Sequence, residues 1–468
     1  MIINKNYDYD FIVIGSGPGG QKATIQASKA NKTVAIIEKD KRIGGTCIYQ
    51  GTIPSKTLRS AALSLSTFRK KLKQYNLEVN EQFDSKLQLA SLMEKLDNVL
   101  DAQNNFIDDY LRRNNVDIIH GRAGLIDDHT VSIMSIDGSS KNISAENIII
   151  STGSRPRTPS DINVDHENIF DSDSILSIMY IPKSMTILGG GVIACEYASI
   201  FAELGTKVTL IDKAPRPLMF MDEEIVENFI NQFEKYGSRY IGEGEYETVV
   251  FDGVSNVITK LKSGETIVSE KCLFALGRVA NVEYLNLKSV GVNQSKRGLI
   301  EVNDEYRTNF DNVYAVGDVI GFPALASTSM EQGRRAVCHA LNIEVGYSFN
   351  AIPIGIYAIP EIASIGITES EAFEKFKDIQ IGRAEFSEVA KGLIVGHTEG
   401  LLKLISDAKG EKILGVHIIG EGATELIHLG ELAVLNNNTV SSFIENIFNF
   451  PTMAELYRIA ALNLLNKL

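Results

Sequence analysis

The chain is expected to be an α/β protein with two Rossmann-like dinucleotide-binding domains and an α+β C-terminal domain, and three observations predict this. A glycine-rich turn between an apolar run and a helix-forming stretch occurs twice. In both copies 23 residues separate the first glycine from an acid closing the next apolar run, Gly15 to Glu38 and Gly189 to Asp212. From about residue 346 the pattern changes to alternating runs such as KILGVHIIG and a closing helical stretch, AELYRIAALNLLNKL.

Taken in order, FIVI (residues 11–14) reads as a strand, GSGPGG as a tight turn, QKATIQASKAN as a helix and TVAIIE as a second strand ending on Glu38. In such a β-α-β unit, glycines let the backbone N–H groups at the helix start approach a pyrophosphate, and the terminal acid holds ribose hydroxyls. Gly15, Gly17, Gly20 and Glu38 are the residues so placed. Residues 57–113 are rich in helix formers, and VDIIHGRAG, HTVSIMSID and NIIISTGSRPRTP then read as strands, the last ending in a glycine turn. The second unit repeats the first: SMTIL, then Gly189, Gly191 and Ala194 in the turn, the helix CEYASIFAELG, and KVTLID ending on Asp212. Next to Asp212, Lys213 and Arg216 are cations able to meet the 2'-phosphate of NADP, while Asp212 itself suits the free hydroxyls of NAD. CLFALGRVAN and NVYAVGDVIG follow, the latter a strand delivering Asp318 to a tight turn. Two cradles imply two dinucleotides, one a held flavin and one a nicotinamide exchanging hydride with it.

Composition narrows the rest. At 468 residues, 44% of them hydrophobic, the chain fits two to four domains. A formal charge of -13 repels a phosphate backbone, so no nucleic-acid partner is expected. The start, MIINKNYDYDF, lacks a secretory leader, and no run approaches the roughly 18 apolar residues of a membrane span. A cytoplasmic location and no membrane partner are expected. Four scattered cysteines and seven scattered histidines signal neither a disulfide framework nor a metal site.

GSGPGG, GGTC with IPSK downstream, STGSRP, GGGVIA, LGRVAN and AVGDV occur together and in this order. On these motifs the chain resembles, over essentially its whole length, the two-dinucleotide flavoprotein disulfide reductases. The resemblance implies an FAD-binding domain in two parts (1–154 and 281–345), an NAD(P)-binding domain (155–280) and an interface domain (346–468) that makes a homodimer or larger homo-oligomer. It adds Thr46, Cys47, Lys56, Gly153 and Asp318 to the FAD contacts and Gly277 to the NAD(P) contacts. It implies that Lys56 pairs with Glu196 beside the flavin as the catalytic residues.

The departures matter as much. The family's redox pair has a CxxxxC spacing, and here Thr52 stands where Cys47 would find its partner. The family's His-Pro-Thr, whose histidine serves thiol exchange from the partner subunit, is Phe450-Pro451-Thr452, leaving Glu455 with no histidine to orient. DSDSIL, CEYASIF and FNFPTMAE are similar to the branch that passes hydride between NADPH and NAD+ through FAD without a redox disulfide. That is the implied activity. Two other readings stay open here: a peroxide or oxygen reductase using Cys47 alone, and an FAD-binding redox sensor without turnover.

Overall fold

The computed structural model describes residues 7–76, 89–235, 237–346 and 351–466. The chain forms two compact units, each assembled from three segments. The first takes Met1–Thr57, Ser91–Arg157 and Gly277–Tyr347, and the second Leu58–Ala90, Thr158–Leu276 and Ser348–Leu468.

The first unit is built on a seven-stranded sheet: β1 (Tyr9–Ile14), β2 (Val34–Glu38), β3 (Asp117–His120), β4 (Arg122–Leu125), β5 (Thr130–Met134), β6 (Ser140–Ile150) and β17 (Val313–Ala315). β3, β2, β1, β6 and β17 lie parallel, whereas β5 pairs antiparallel with the first half of β6 and β4 antiparallel with β5. The sequence of β6, SKNISAENIII, explains its double role. Its leading half is mainly polar and solvent-facing and pairs with β5. Its closing NIII, three of four residues fully buried, pairs with β1 and β17 in a layer covered on both faces. Helices Pro18–Lys29 and Ala326–Ala340 pack together at backbone distance: a Cβ on Gly333 would stand 2.1 Å from the Gly19 carbonyl oxygen. A two-stranded ribbon of β7 (Ser154–Pro156) and β16 (Arg278–Ala280) completes the unit's strands.

The second unit holds three sheets. A five-stranded parallel sheet has the order β11-β10-β9-β15-β8, from β8 (Ile169–Asp171), β9 (Ser184–Leu188), β10 (Lys207–Ile211), β11 (Arg239–Ile241) and β15 (Lys271–Phe274). A meander of β12 (Tyr246–Phe251), β13 (Val257–Leu261) and β14 (Thr266–Ser269) alternates buried and exposed residues, as VITKL does along β13. The C-terminal sheet has the order β18-β19-β22-β21-β20, from β18 (Ile354–Ile356), β19 (Ile362–Gly366), β20 (Ile379–Glu385), β21 (Leu401–Asp407) and β22 (Ile413–Ile419). Residues of helices Ala423–Leu435 and Glu455–Leu465 share its apolar core.

Both sequence-predicted β-α-β units are present at their expected places. Part of the helix-rich stretch forms helices Thr52–Gln74 and Leu89–Arg113; residues 77–88 lie outside the described residues.

Candidate active site

The first cradle is a backbone device. β1 ends at Ile14 and a helix begins at Pro18, its N-cap Gly17 making no side-chain cap hydrogen bond. The helix's leading N–H groups therefore lack that acceptor. The three glycines divide the work. Gly15 has φ +102° and its Cβ would stand 2.4 Å from the Ser151 carbonyl oxygen, while a Cβ on Gly20 would stand 1.9 Å from that of Gly15. Those two close the turn. At Gly17 nothing lies within 4 Å of a Cβ, which leaves an open face where a pyrophosphate can meet backbone donors.

Glu38, 5% exposed, caps this turn from β2: its carboxylate accepts from the Ser16 N–H (3.0 Å) and hydroxyl (2.6 Å) and from the Asp40 N–H (3.1 Å). The Ser16 hydroxyl in turn accepts from the Gly44 N–H at 2.9 Å, tying the cradle to the GGTC segment. A Cβ on Gly45 would stand 2.9 Å from the Gly17 Cα, so the short helix Gly45–Tyr49, which carries Thr46 and Cys47, begins against the open glycine. Burial pushes the Cys47 thiol up, and the nearby Thr52 hydroxyl and Lys56 cation oppose this without reversing it. Lys56 Nζ lies 3.3 Å from the Ser55 hydroxyl.

Asp318 arrives on a 3-10 turn after β17 and accepts from the Ser154 hydroxyl at 2.7 Å. Arg278 holds that serine from the other side, Nε to the hydroxyl and Nη2 to the carbonyl, each at 2.8 Å. Gly153, with φ +67°, has open space at its Cβ position. These groups fit a flavin dinucleotide: an open glycine face at a helix start, an acid at the adjoining strand end and a second fixed acid. The roles of Ser154 and Arg278 escape a sequence reading because Ser154 finds Asp318 164 residues away and Arg278 finds Ser154 124 residues away; their only signal is membership in STGSRP and LGRVAN.

The second cradle copies the first with one change. Gly189 has φ +119° and its Cβ would stand 2.4 Å from the Ala275 carbonyl oxygen, and Gly191 caps helix Val192–Glu203 with nothing within 4 Å of its Cβ position. Ala194, fully buried, occupies the place of Gly20. Asp212 leans over the turn, its Cγ 2.8 Å from where a Gly190 Cβ would be, and accepts from the Ala214 N–H at 2.7 Å. Lys213 pairs with Glu245, and Arg216 donates to the carbonyl oxygens of Met221 and Met219. Glu196, 5% exposed on the cradle helix, accepts from the Tyr357 N–H at 2.9 Å. Gly277 (φ +98°) opens the third segment of the first unit.

Residues 9–333 match the model of the pyridine nucleotide-disulphide oxidoreductases, and residues 352–461 that family's dimerisation domain. The chain belongs to the pyridine nucleotide-disulphide oxidoreductases. It is 40% identical, with 98% of each chain covered, to a soluble pyridine nucleotide transhydrogenase of Mycobacterium bovis. It is 42% identical over both full lengths to one of Colwellia psychrerythraea, and 40% identical over 99% of each chain to one of Escherichia coli. Among solved structures, LpdA of Mycobacterium tuberculosis superposes with a TM-score of 0.89 at 25% identity, covering 97% of this chain and 99% of that one. The flavoprotein disulfide reductase RclA of Escherichia coli does so with a TM-score of 0.86 at 26% identity, with the same coverage.

For a pyridine nucleotide-disulphide oxidoreductase the thiol equipment is incomplete. All four cysteines are free, and Cys195, Cys272 and Cys338 are buried. Phe450 is 75% exposed where the family's histidine would stand. Glu455 has acquired other work: it accepts from the Thr452 N–H at 3.1 Å, beside the start of the closing helix. Among the described residues no group of His, Cys, Asp or Glu is arranged to hold a metal, and no helix is long and apolar enough to cross a membrane.

Proposed function

We propose that the protein transfers hydride between NADPH and NAD+ with FAD as its cofactor and without a redox disulfide. The observation that carries this is that Cys47 is a free thiol with Thr52 where a second sulfur would stand, in a chain whose full-length relatives are named soluble pyridine nucleotide transhydrogenases. FAD, when bound, supplies the chemistry of taking up a hydride and giving it back.

The chain's own residues bind, orient and exclude water. Gly15, Gly17 and Gly20 form the cradle for the FAD pyrophosphate, Gly15 and Gly20 by closing the turn and Gly17 by opening the helix-start N–H groups to it, while Glu38 takes the ribose and Asp318 the ribityl or phosphate region. Thr46, Cys47 and Gly153 line the same cofactor, Cys47 as a small neutral group whose half-buried thiol resists ionisation. Lys56 supplies the cation of the hydride-transfer site and Glu196 its carboxylate. NADPH and NAD+ take turns in the second cradle, with Gly189, Gly191 and Ala194 at the pyrophosphate, Asp212, Lys213 and Arg216 at the adenosine ribose, and Gly277 as a further contact. Alternation at one site makes the kinetics ping-pong. The assembly is a homodimer or larger homo-oligomer formed through the C-terminal region.

Anaerobic rapid mixing tests the proposal. NADPH should bleach the flavin absorbance in a single fast phase, and NAD+ added afterwards should restore it. A protein that binds FAD but is not bleached by NADPH, or whose recovery requires a disulfide or peroxide instead of NAD+, contradicts the reading.

A further inference from the structure

Two loops leave the carboxyl ends of neighbouring parallel strands in the second unit: residues 212–216 after β10 and 242–245 after β11. They are laced by backbone bonds. The Gly244 N–H donates to the Asp212 carbonyl oxygen at 2.8 Å and the Glu243 N–H to that of Ala214 at 3.0 Å. A Cβ on Gly242 would stand 2.3 Å from the Pro215 carbonyl oxygen, so the approach depends on that glycine. The lacing sets Glu245 against Lys213, whose Nζ is 2.7 Å from Oε1; Lys262 reaches the same oxygen at 2.9 Å. Lys262 is anchored there a second time, because its N–H donates to the Glu245 carbonyl oxygen at 2.8 Å. The two ammonium groups hold the Glu245 carboxyl below its ordinary value.

One carboxylate with two cations, next to the acid that closes the second cradle, is more than a surface ion pair needs. We propose that Glu245 is a specificity-determining residue of the second cradle: it engages Lys213 when NAD(H) is bound and yields it to the 2'-phosphate when NADP(H) is bound, Lys262 neutralising Glu245 throughout. The inference rests on the reading of that cradle as the nicotinamide site.

Energetics favour an exchange over a fixed pair. Lys213, Glu245 and Lys262 are 66%, 38% and 60% exposed, and water and salt screen such a pair so that it holds only weakly. It breaks easily. A phosphate dianion offers Lys213 a stronger, charge-assisted partner. Arg216, bonded to carbonyl oxygens of its own turn, leaves Lys213 as the cation with an exchangeable partner. One site can then take both dinucleotides: Asp212 accepts ribose hydroxyls, and Lys213 is lent to the phosphate when there is one.

The test is calorimetric titration of the purified, FAD-loaded protein with NADP+ and with NAD+, neither of which reduces the flavin. Glu245→Gln should tighten NADP+ about fivefold, equivalent to about 1 kcal/mol, and leave NAD+ within about twofold. Lys262→Met, which leaves Glu245 to Lys213 alone, should weaken NADP+ about threefold with NAD+ unmoved. Adding Lys213→Met to Glu245→Gln should abolish the gain. An NADP+ affinity unmoved by Glu245→Gln, or equal shifts for both dinucleotides, overturns the exchange while the site stands. A wild-type protein that takes up FAD yet binds neither nucleotide overturns the underlying site and the exchange with it.

Discussion

Cys47 shows how a side chain inherited from one chemistry can be neutral in another. A thiol acts as a nucleophile only once ionised, and burial holds this one protonated while Thr52 offers a hydroxyl in place of a second sulfur. Cys47→Ser is therefore expected to keep transhydrogenation within about threefold, or 0.7 kcal/mol of barrier; a hundredfold loss with FAD still bound would show that the sulfur takes part. Residues of this kind were readable in advance. Cys47, Thr52 and the cradle glycines are local, because a tight turn or a redox pair needs particular residue types at a fixed spacing. Glu245 was not readable, since it belongs to no motif and becomes significant only when the loop after β11 lies along the loop after β10. Ser154 joins the same class, because its hydroxyl matters only through partners distant in sequence.

Among elements, the most demanding contact is between helices Pro18–Lys29 and Ala326–Ala340. Gly19 and Gly333 let the two backbones touch, and a methyl at Gly333 would overlap the Gly19 carbonyl oxygen 2.1 Å away. Overpacking of this kind costs about 1–3 kcal/mol. Gly333→Ala is predicted to lower the unfolding midpoint by that amount of stability and to loosen FAD, because the displaced helix starts at the first cradle; thermal melts and flavin release on gel filtration would measure both. If neither changes, the helices have room that these distances deny. The sequence announced the first of these helices but neither the second nor their contact, since Gly333 sits in the middle of helix Ala326–Ala340 with no turn to explain it. The strands were more legible. The change along β6 from polar alternation to a continuous apolar run marks where antiparallel pairing gives way to parallel.

At the scale of the whole molecule, the C-terminal sheet buries charge. Lys403, 1% exposed on β21, meets Asp222 at 2.8 Å, Glu224 at 3.0 Å and Glu369 at 2.5 Å, and Arg383 joins Glu224 at 2.7 Å. Beside them His417 is buried, its Nε2 donating to the Ile367 carbonyl oxygen and its Nδ1 without a partner among the described residues. Burial depresses the His417 pKa, and the Asp222 pKa is depressed despite burial, first by the charge His417 carries when protonated and then by Lys403 and the Glu369 N–H. Both depressions act in one direction: the folded state resists protons that the unfolded state accepts, so stability is full above the ordinary histidine value of about 6.5 and falls as pH drops below it, further so through the carboxylate range. Melting temperature recorded from pH 8 to pH 4 checks this, and His417→Gln, which can still donate to Ile367 but does not titrate, should flatten the upper part of the fall. Association belongs to this scale as well. The dimerisation region exposes Leu429, Leu432 and Leu435 on one helix, Leu432 at 59%, an apolar face suited to a second copy. Leu432→Glu should weaken self-association at least tenfold, about 1.4 kcal/mol, by sedimentation; an unchanged dimer would place the interface on another face. The three-segment composition of the first unit also governs the order in which the protein can be made. On the ribosome, the parallel sheet of the second unit is complete once residue 274 has emerged, since β8 to β15 supply all its strands. The first unit still lacks β17 and helix Ala326–Ala340 at that moment, and with them Asp318 and the helix that backs Gly19. The nucleotide cradle that comes second in the sequence is thus the first whose sheet can close, and the flavin must wait for the nascent chain to return.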